Sequence, residues 1–340
     1  MLNIKRLVPY IPFIPIGIML VVLLIPFITP IKVYNPIAGV YLEVHGTYAV
    51  AVDYTQEKII IPSHSLLRPV TKTSTVGVIN KGKTIVEELK IPDSITEIGG
   101  VSFSGFRKLK KIEGGKNIKN IGGNAFASNH SLSEVSYFEK LEEIGEYAFS
   151  DCNLSYLKLP DTVRRIGDCA FQYNKIEKID ADLNNVELGS QVFNNNPFQK
   201  KLGEFVIYPD DSLQAYNGNE TKIMIPDVVT AVSGAFDNYG EDIDYVEIYV
   251  PESVVKIDLF SFRTHCESRI FIPASVTDMR ILATGEDQGC FGLHSTIVTT
   301  KGSYAEEYAK RFNIDYEIVD KIEYPQSEEE AAISENTYQE

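Results

Sequence analysis

The sequence has few of the residues that build disulfide frameworks or histidine-dependent catalytic sites. Its 340 residues include four cysteines and five histidines. The cysteines are not spaced as a disulfide framework. Cys152 and Cys169 instead follow an apolar pattern that recurs along the chain. We therefore predict that the cysteines are buried free thiols that act as small apolar side chains.

The familiar enzyme motifs are also absent from the sequence. It contains no G-x-S-x-G, no H-E-x-x-H and no cysteine–histidine pair in a recognisable nucleophile context. No other set of acid, base and nucleophile is apparent. The sequence therefore predicts a protein that is not an enzyme and uses no cofactor.

One phosphate-binding pattern does match, but its surroundings do not. Residues 77–84 read GVINKGKT, which fits G-x-x-x-x-G-K-T. A phosphate-binding loop leaves a buried apolar strand and opens a helix. Here a polar TKTST precedes the pattern, and Pro92 follows within eight residues. We interpret the segment as a lysine-rich surface hairpin and predict no nucleotide.

Two weaker patterns suggest metal ions. His265-Cys266 and Cys290-x3-His294 contain zinc-ligating residue types, but structural zinc sites usually contain closely spaced cysteine pairs. The acidic stretches 237–244 and 286–287 lack the calcium-binding D-x-D-x-D-G order. We predict solvated loops and no metal site.

Basic residues are too few to suggest an anionic partner. Lysine and arginine number 32 against 47 acidic residues, for a net charge of −15. Segment 1–32 has three basic residues and no acid, so residues 33–340 carry −18. This balance disfavours nucleic acid and anionic lipid as partners. It is compatible with basic protein patches or cations, or with solubility alone.

Only one long run of the chain lacks charge, and it lies near the N-terminus. Twenty-five uncharged residues separate Arg6 from Lys32, enough to span about 30 Å of hydrocarbon. The flanking Lys5 and Arg6 favour a cytoplasmic N-terminus and an extracellular remainder. Five prolines leave only Ile16–Ile25 uninterrupted, about the size of a signal peptide, yet no A-x-A-like cleavage site follows. We predict an uncleaved single-pass membrane anchor, with a cleaved signal and a secreted protein, or a buried or peripheral segment, as alternatives.

The remaining sequence is dominated by a repeat. Phenylalanines recur at intervals of 23, 23, 22 and 22 residues, and each follows an Ile-Gly or Leu-Gly pair by four or five positions. A period in the twenties is typical of a solenoid. The five phenylalanines are Phe103, Phe126, Phe149, Phe171 and Phe193.

One repeat shows how such a unit folds. In 154–176, LSYLKLPDTVRRIGDCAFQYNKI, Leu157 and Leu159 alternate with polar neighbours, which predicts a strand with one inward face. A single unit cannot bury this face, so stacked copies stabilise one another. We therefore expect Phe126, Phe149 and Phe171 to be buried and stacked one above another.

The repeat organises most of the chain, which we expect to form one elongated domain. It becomes irregular after Phe193, and stretches 203–218 and 279–290 interrupt it. The predicted spans are a cytoplasmic tip with membrane anchor or signal sequence at 1–32, a connector at 33–46, a degenerate N-terminal repeat or cap at 47–88, five regular repeats at 89–202, irregular repeats at 203–299, a C-terminal cap at 300–319 and an acidic disordered tail at 320–340.

These repeats resemble a known family. IPDSITEIG (91–99), LPDTVRRIGDCAF (159–171), VPESVVKI (250–257) and TKGSYAEEYAKRFNI (300–314) resemble BspA-like, or Treponema pallidum-type, leucine-rich repeats over roughly residues 43 to 319. The asparagine ladder of ordinary leucine-rich repeats is expected to be absent. The resemblance implies a β-rich solenoid, a right-handed coil of about nine turns with a C-terminal helical cap, preceded here by a single transmembrane helix.

The resemblance also implies a surface-exposed bacterial protein linked to adhesion to host proteins or other cells, and no catalytic residue. Solenoids present rows of outward strand residues as binding surfaces. The candidate binding residues in those rows are Tyr156, Lys158, Lys178, Glu247, Tyr249, Arg269 and Phe271.

We therefore predict extracellular binding to a protein or glycan on a host or neighbouring cell. The alternative is a structural spacer or scaffold of the cell envelope without a specific ligand. Exposed aromatic residues on the outward face would favour binding, and a uniformly charged face would favour the spacer.

Overall fold

The computed structural model describes residues 31–35, 40–44, 49–54, 58–65, 68–73, 86–237, 239–280 and 289–325, with side chains described for 59–64, 69–73 and from 86 onward. The hairpin predicted at 77–84 and the acidic pair Glu286 and Asp287 lie outside these residues. The chain divides into two compact units rather than one elongated domain, unit 1 (Met1–Lys201) and unit 2 (Leu202–Glu340). Both are built from β-solenoid coils, about ten turns in all against about nine predicted.

Unit 1 consists of short strands in the described residues. In chain order they are β1 (Ile31–Asn35), β2 (Val40–Val44), β3 (Ala49–Tyr54), β4 (Lys58–Ile60), β5 (His64–Ser65), β6 (Arg68–Thr73), β7 (Glu88–Ile91), β8 (Glu97–Ile98), β9 (Lys111–Gly114), β10 (Asn120–Ile121), β11 (Glu134–Val135), β12 (Glu143–Ile144), β13 (Tyr156–Lys158), β14 (Arg165–Ile166), β15 (Lys178–Asp180) and β16 (Glu187–Leu188).

Each regular coil of unit 1 contributes one strand to each of two faces. The Ile-Gly and Leu-Gly segments contribute β8, β10, β12, β14 and β16 to one sheet, whose full order is β1-β2-β3-β6-β8-β10-β12-β14-β16 and which is parallel from β3 onward. The other face has the sheet β11-β9-β7-β4 and the pair β13-β15, also parallel. Neighbours along both faces are one repeat apart in sequence, as the period predicts.

The predicted phenylalanine stack lies inside unit 1. Successive ring centroids from Phe103 to Phe193 are 5.4, 5.1, 5.5 and 5.6 Å apart, with planes inclined by 15° or less. All five rings are buried. The prediction for Phe126, Phe149 and Phe171 is therefore confirmed.

The glycines of the Ile-Gly pairs allow neighbouring coils to approach closely. A Cβ atom on Gly122 would lie 2.5 Å from the backbone nitrogen of Gly100, and one on Gly145 would lie 2.5 Å from that of Gly123. Real Cβ contacts are never this short. The contact between adjacent backbones therefore requires glycine at these positions.

An asparagine ladder is present, contrary to the sequence-based expectation. Three residues after their phenylalanines, the side chains of Asn129, Asn174 and Asn196 are buried and donate to carbonyl oxygens of the coil corners at 2.7–3.0 Å. Cys152 takes the equivalent place and its thiol points to the Phe126 carbonyl at 3.2 Å. In the sequence the ladder is obscured because one of its four positions, Cys152, is a cysteine.

The segment 33–46, predicted as a connector, instead contains strand structure. Strands β1 and β2 pair antiparallel, and β2 pairs with β3 in the same way. Strand β3 then starts the parallel ladder with β6. Alternating apolar and polar residues in VYLEV favour strand pairing at the end of the sheet over a solvated linker.

Unit 2 continues with strands β17 (Phe205–Ile207), β18 (Ser212–Tyr216), β19 (Lys222–Met224), β20 (Ala231–Val232), β21 (Tyr245–Tyr249), β22 (Lys256–Ile257), β23 (Glu267–Phe271), β24 (Asp278–Met279), β25 (Ser295–Thr300) and β26 (Asp315–Val319). They form two sheets, β17-β18-β20-β22-β24 and β19-β21-β23-β25-β26. Among the described strands of unit 2, only β17 and β18 pair antiparallel, which makes the irregular stretch 203–218 a hairpin.

The core of unit 2 repeats the aromatic stacking of unit 1. Phe236, Phe262 and Phe291 stack with both centroid separations at 5.6 Å. Helix α1 (Tyr304–Phe312) and β26 follow. Ser303 caps the helix by accepting a hydrogen bond from the Glu306 amide, and Asn313 ends it in the left-handed region.

Across the described residues, no helix is both long enough and apolar enough to cross a membrane. The predicted anchor or signal at 1–32 lies outside those residues, apart from Ile31 and Lys32 in β1.

Candidate binding surfaces

The predicted outward residues fall into two groups, one in each unit. In unit 1, Tyr156 on β13 is in register with Lys178 on β15. In unit 2, Glu247 on β21 is in register with Arg269 on β23. The same two strands bring Tyr249 and Phe271 side by side.

The unit 1 group forms what we call the tyrosine–lysine patch, made of Tyr137, Tyr156, Lys158 and Asp180. Tyr156 is 49 % exposed, and its hydroxyl donates to Asp180 Oδ2 at 2.9 Å. Lys158 Nζ lies 3.0 Å from the same oxygen and 5.6 Å from the centre of the Tyr137 ring. These contacts, with Lys158 first, lower the pKa of Asp180. The patch therefore presents two exposed rings, of which Tyr156 is bonded to the ionised Asp180 and Tyr137 lies beside Lys158.

Two members of the patch were not predicted. Asp180 belongs to the alternating row of β15 and is detectable in the sequence once that register is known. Tyr137 lies outside any strand, so strand alternation gives no signal for it. Lys178 is exposed and in register with Tyr156, and its positive charge contributes to the lowered pKa of Asp180.

The neighbouring strands of unit 1 present a different surface. Lys90 and Lys111 lie 3.0 and 2.7 Å from the carboxylate of Glu113, and Lys111 also lies 3.7 Å from Glu134. Hydrogen bonds from Lys111 and then Lys90 lower the pKa of Glu113 to about 2. This part of the face is charged, and its charges are paired with one another along the stack.

Unit 2 carries an apolar row on its outward face. Strand register aligns Met224, Tyr249, Phe271 and Val298. The rings of Tyr249 and Phe271 are stacked at 4.1 Å and 5°. Cations lie over both rings, Lys222 at 5.6 Å from Tyr249 and Arg269 at 5.3 Å from Phe271.

Glu247 organises the charged groups beside this row. Its carboxylate accepts hydrogen bonds from the hydroxyls of Tyr249 at 2.9 Å and Tyr245 at 3.1 Å. It also lies 3.8 Å from Arg269, which forms a further ion pair with Glu317. Burial, and then the bond to Glu247, raise the pKa of Tyr249. The tyrosine thus stays protonated and remains a donor at neutral pH.

Tyr249 is not a free surface residue, although its row points outward. Only 6 % of it is exposed, because residues 320–325 lie over this face. Tyr324 donates from its hydroxyl to the Val250 carbonyl at 2.9 Å, and its ring centre lies 6.3 Å from that of Tyr249. The acidic tail predicted to begin at residue 320 is therefore packed against unit 2 at least through residue 325.

A groove of about 620 Å³ runs along this covered face. We call it the outward groove, lined by Lys222, Glu247, Tyr249, Arg269, Phe271 and residues 319–323. It brings together all four residues predicted for unit 2. Its wall at 319–323 was not predicted, because three of the five residues in that segment are charged and only Val319 and Ile322 are apolar.

The four cysteines are buried free thiols, as predicted. Burial raises the pKa of Cys152 and of Cys290 to about 12, and also raises that of Cys266. His265 and His294, weighed with them as zinc ligands, are exposed. In the part of the chain that the structure describes, no three candidate ligand side chains converge on one point.

Sequence comparison identifies the repeats. Residues 81–200 match a family model described as a BspA type leucine rich repeat region, in six copies. No curated protein matches this chain in sequence.

Several solved structures are similar to the chain. A leucine-rich repeat protein of Treponema pallidum shares 20 % identity over 48 % of this chain and 85 % of its own, with a TM-score of 0.36. A leucine-rich cell surface protein of Faecalibacterium prausnitzii shares 20 % sequence identity. The match covers 85 % of this chain and 99 % of that protein, with a TM-score of 0.42. The pneumococcal vaccine antigen PcpA shares 14 % sequence identity. The match covers 86 % of this chain and 99 % of that protein, with a TM-score of 0.40.

Proposed function

Residues 81–200 are a leucine-rich repeat region of the BspA type, and on this basis we propose that the protein is an extracellular binding protein at a bacterial surface. Repeats of this type suggest a role in protein interaction, and their solenoids are typically binding scaffolds rather than enzymes. The ligand in this proposal is a protein, or a glycan, on a host or neighbouring cell.

The tyrosine–lysine patch is the observation that carries the proposal. Tyrosine is enriched among residues that dominate binding energies, because it combines a large apolar ring with a polar end. Tyr137 and Tyr156 expose such rings beside Lys158. The bond to Asp180 fixes the Tyr156 ring in place, so less side-chain freedom is lost when a partner binds.

The uncharged run between Arg6 and Lys32 supports the location. Its length suits a membrane span, and the basic residues before it favour an extracellular repeat region. In our proposal this run is a single-pass anchor, or a signal sequence that is removed on secretion.

A direct binding experiment tests the proposal. Immobilised full-length protein is exposed to host extracellular proteins, glycans and whole bacterial cells, and retained partners are titrated. We expect saturable binding that weakens at least tenfold in Tyr156→Ala/Lys158→Ala. The matched control is Lys110→Ala, an exposed lysine on the charged part of unit 1, which should bind as the unsubstituted protein does.

The second candidate function is a spacer or scaffold of the envelope. The paired charges of Lys90, Lys111, Glu113 and Glu134 favour it, because a face that neutralises itself offers little to a partner. If no member of the panel binds saturably, the binding function is wrong and the spacer or scaffold function is favoured.

A further inference from the structure

The apolar row of unit 2 is unusual because it points away from the core. The inward neighbours on the same strands, Ile248, Ile270 and Ile297, belong to the hydrophobic core cluster, whereas Tyr249 and Val298 do not. Val298 is nevertheless fully buried and Tyr249 nearly so. An outward apolar row of this kind needs a cover, and residues 320–325 lie across it.

We call residues 320–325 the strap. It follows β26 directly, and its side chains alternate in burial: Lys321 and Glu323 are exposed, whereas Ile322 is only 4 % exposed. Tyr324 contacts this face through its ring and its hydroxyl, and the buried Ile322 lines the groove beside it. This is how an extended peptide with apolar side chains at alternate positions would bind.

We propose that the outward groove, together with the strand face that the strap covers, is a binding site for an extended peptide segment of a partner protein, and that the strap covers this site until such a peptide displaces it. The inference rests on the proposed binding function and specifies the partner for a second surface. The partner segment carries two large apolar side chains two residues apart, the second an aromatic one with a hydroxyl.

The groove has room for selectivity beyond those two side chains. Met224, at the far end of the apolar row, is 39 % exposed. Lys222 and Arg269 present cations above the Tyr249 and Phe271 rings, next to the carboxylate of Glu247. A peptide longer than the strap would extend over Met224 and place an acidic side chain near Lys222. The two faces at which Tyr249 and Phe271 stack are closed to a sugar ring, because the rings pack against each other there.

The test weakens the packing of the strap by substitution and then measures whether a separate peptide with the strap sequence binds. In the full-length protein, Ile322→Ser/Tyr324→Ser removes the two large apolar side chains of the strap. The probe is a fluorescent peptide of residues 319–327, VDKIEYPQS, followed by anisotropy. We expect saturable binding to the variant and at least tenfold weaker binding to the unsubstituted protein, in which the tethered strap competes at high effective concentration.

Two controls make the result specific. The same peptide with serine at positions 322 and 324 should not bind, and Leu293→Ser, at a side chain that is 86 % exposed in unit 2, should behave as the unsubstituted protein does. Tyr324→Phe removes only the hydroxyl bond to Val250, so it tests the strap without the risk of unfolding. It should raise peptide binding a few-fold.

Failure of this inference is separable from failure of the proposed function. If the double variant keeps its circular dichroism spectrum and melting behaviour but does not bind the peptide, the inference is overturned. Equal binding to variant and unsubstituted protein overturns it as well. Binding through Tyr156 and Lys158 is measured independently, and either result can stand without the other.

Discussion

Asn129, Asn174 and Asn196 satisfy backbone carbonyls that the coil corners would otherwise leave buried without partners. Each such hydrogen bond contributes little to the net free energy of folding. Its loss is costly, because the carbonyl left without its donor stays buried away from water. The most consequential polar residues of unit 1 are therefore inside the coil.

Asn174→Ala should lower the free energy of unfolding by about 1–3 kcal/mol. The substitution removes the donor to Phe149 and Phe171 and the acceptor for the Leu154 amide. Urea unfolding measures the change. Asn185→Ala, at an exposed asparagine, is the control and should stay within about 0.5 kcal/mol. Equal effects at the two positions would contradict the ladder.

The cysteines lead to a second prediction at the residue scale. A thiolate is the reactive form, and burial raises the pKa of Cys152 and Cys290 to about 12, so both remain protonated thiols near pH 8. A thiol-specific reagent should therefore label the folded protein slowly and label all four cysteines after denaturation. Rapid labelling of the native protein would show that the thiols are accessible.

At the scale of the element, each coil is defined by a close backbone approach at the glycine and by a ring inside. The two features have different tolerances. The glycine position has no space at all, whereas the ring position requires a particular volume.

Gly122→Ala should destabilise the protein by about 2 kcal/mol or more, since its Cβ would meet only backbone atoms of the neighbouring coil. Gly123→Ala is the matched control. Its Cβ would lie 3.3 Å from the Glu146 carbonyl oxygen, and other coils carry Glu146 or Asp168 at this place. We expect a loss below about 1 kcal/mol there. Denaturation midpoints of the two variants decide the comparison.

Phe149→Ala should cost about 3–5 kcal/mol, as expected for a large core truncation. The ring has stacked neighbours on both sides, Phe126 and Phe171, so the cavity cannot easily close. Thermal unfolding is the measurement. A variant that melts within about a degree or two of the unsubstituted protein would mean that the ring does not support the coil.

At the scale of the whole molecule, the two units each have their own sheets and their own phenylalanine stack. Stability in repeat proteins is close to a sum over neighbouring repeats. The effect of a core substitution should therefore fall off with distance along the coil.

Hydrogen exchange can map this locality. Phe149→Ala should lower amide protection most in β7–β16, whereas Phe262→Ala should lower it most in β19–β25. The two variants act as controls for each other. A uniform loss of protection from residue 86 to residue 325 in both would contradict additive stability.

Local sequence patterns predict much of this architecture. The period from Phe103 to Phe193 gave the stack, and the alternation around Leu157 gave the inward and outward faces. Both signals are local, because every coil repeats the same short-range pattern and meets a near copy of itself. The ladder at Asn129, Asn174 and Asn196 was obscured by Cys152, whose thiol takes an asparagine's place by a weaker hydrogen bond.

The sequence by itself determined the repeat, the inward rings, the buried thiols and the outward position of Tyr156, Glu247, Arg269 and Phe271. Only the tertiary structure decided which outward residues are accessible. Tyr137, which lies outside any strand, contacts Lys158. Tyr249 is covered by the strap, whose Tyr324 lies 75 residues further along the sequence. The physical reason is that periodicity fixes the direction of a side chain, whereas its exposure depends on distant segments that carry no period.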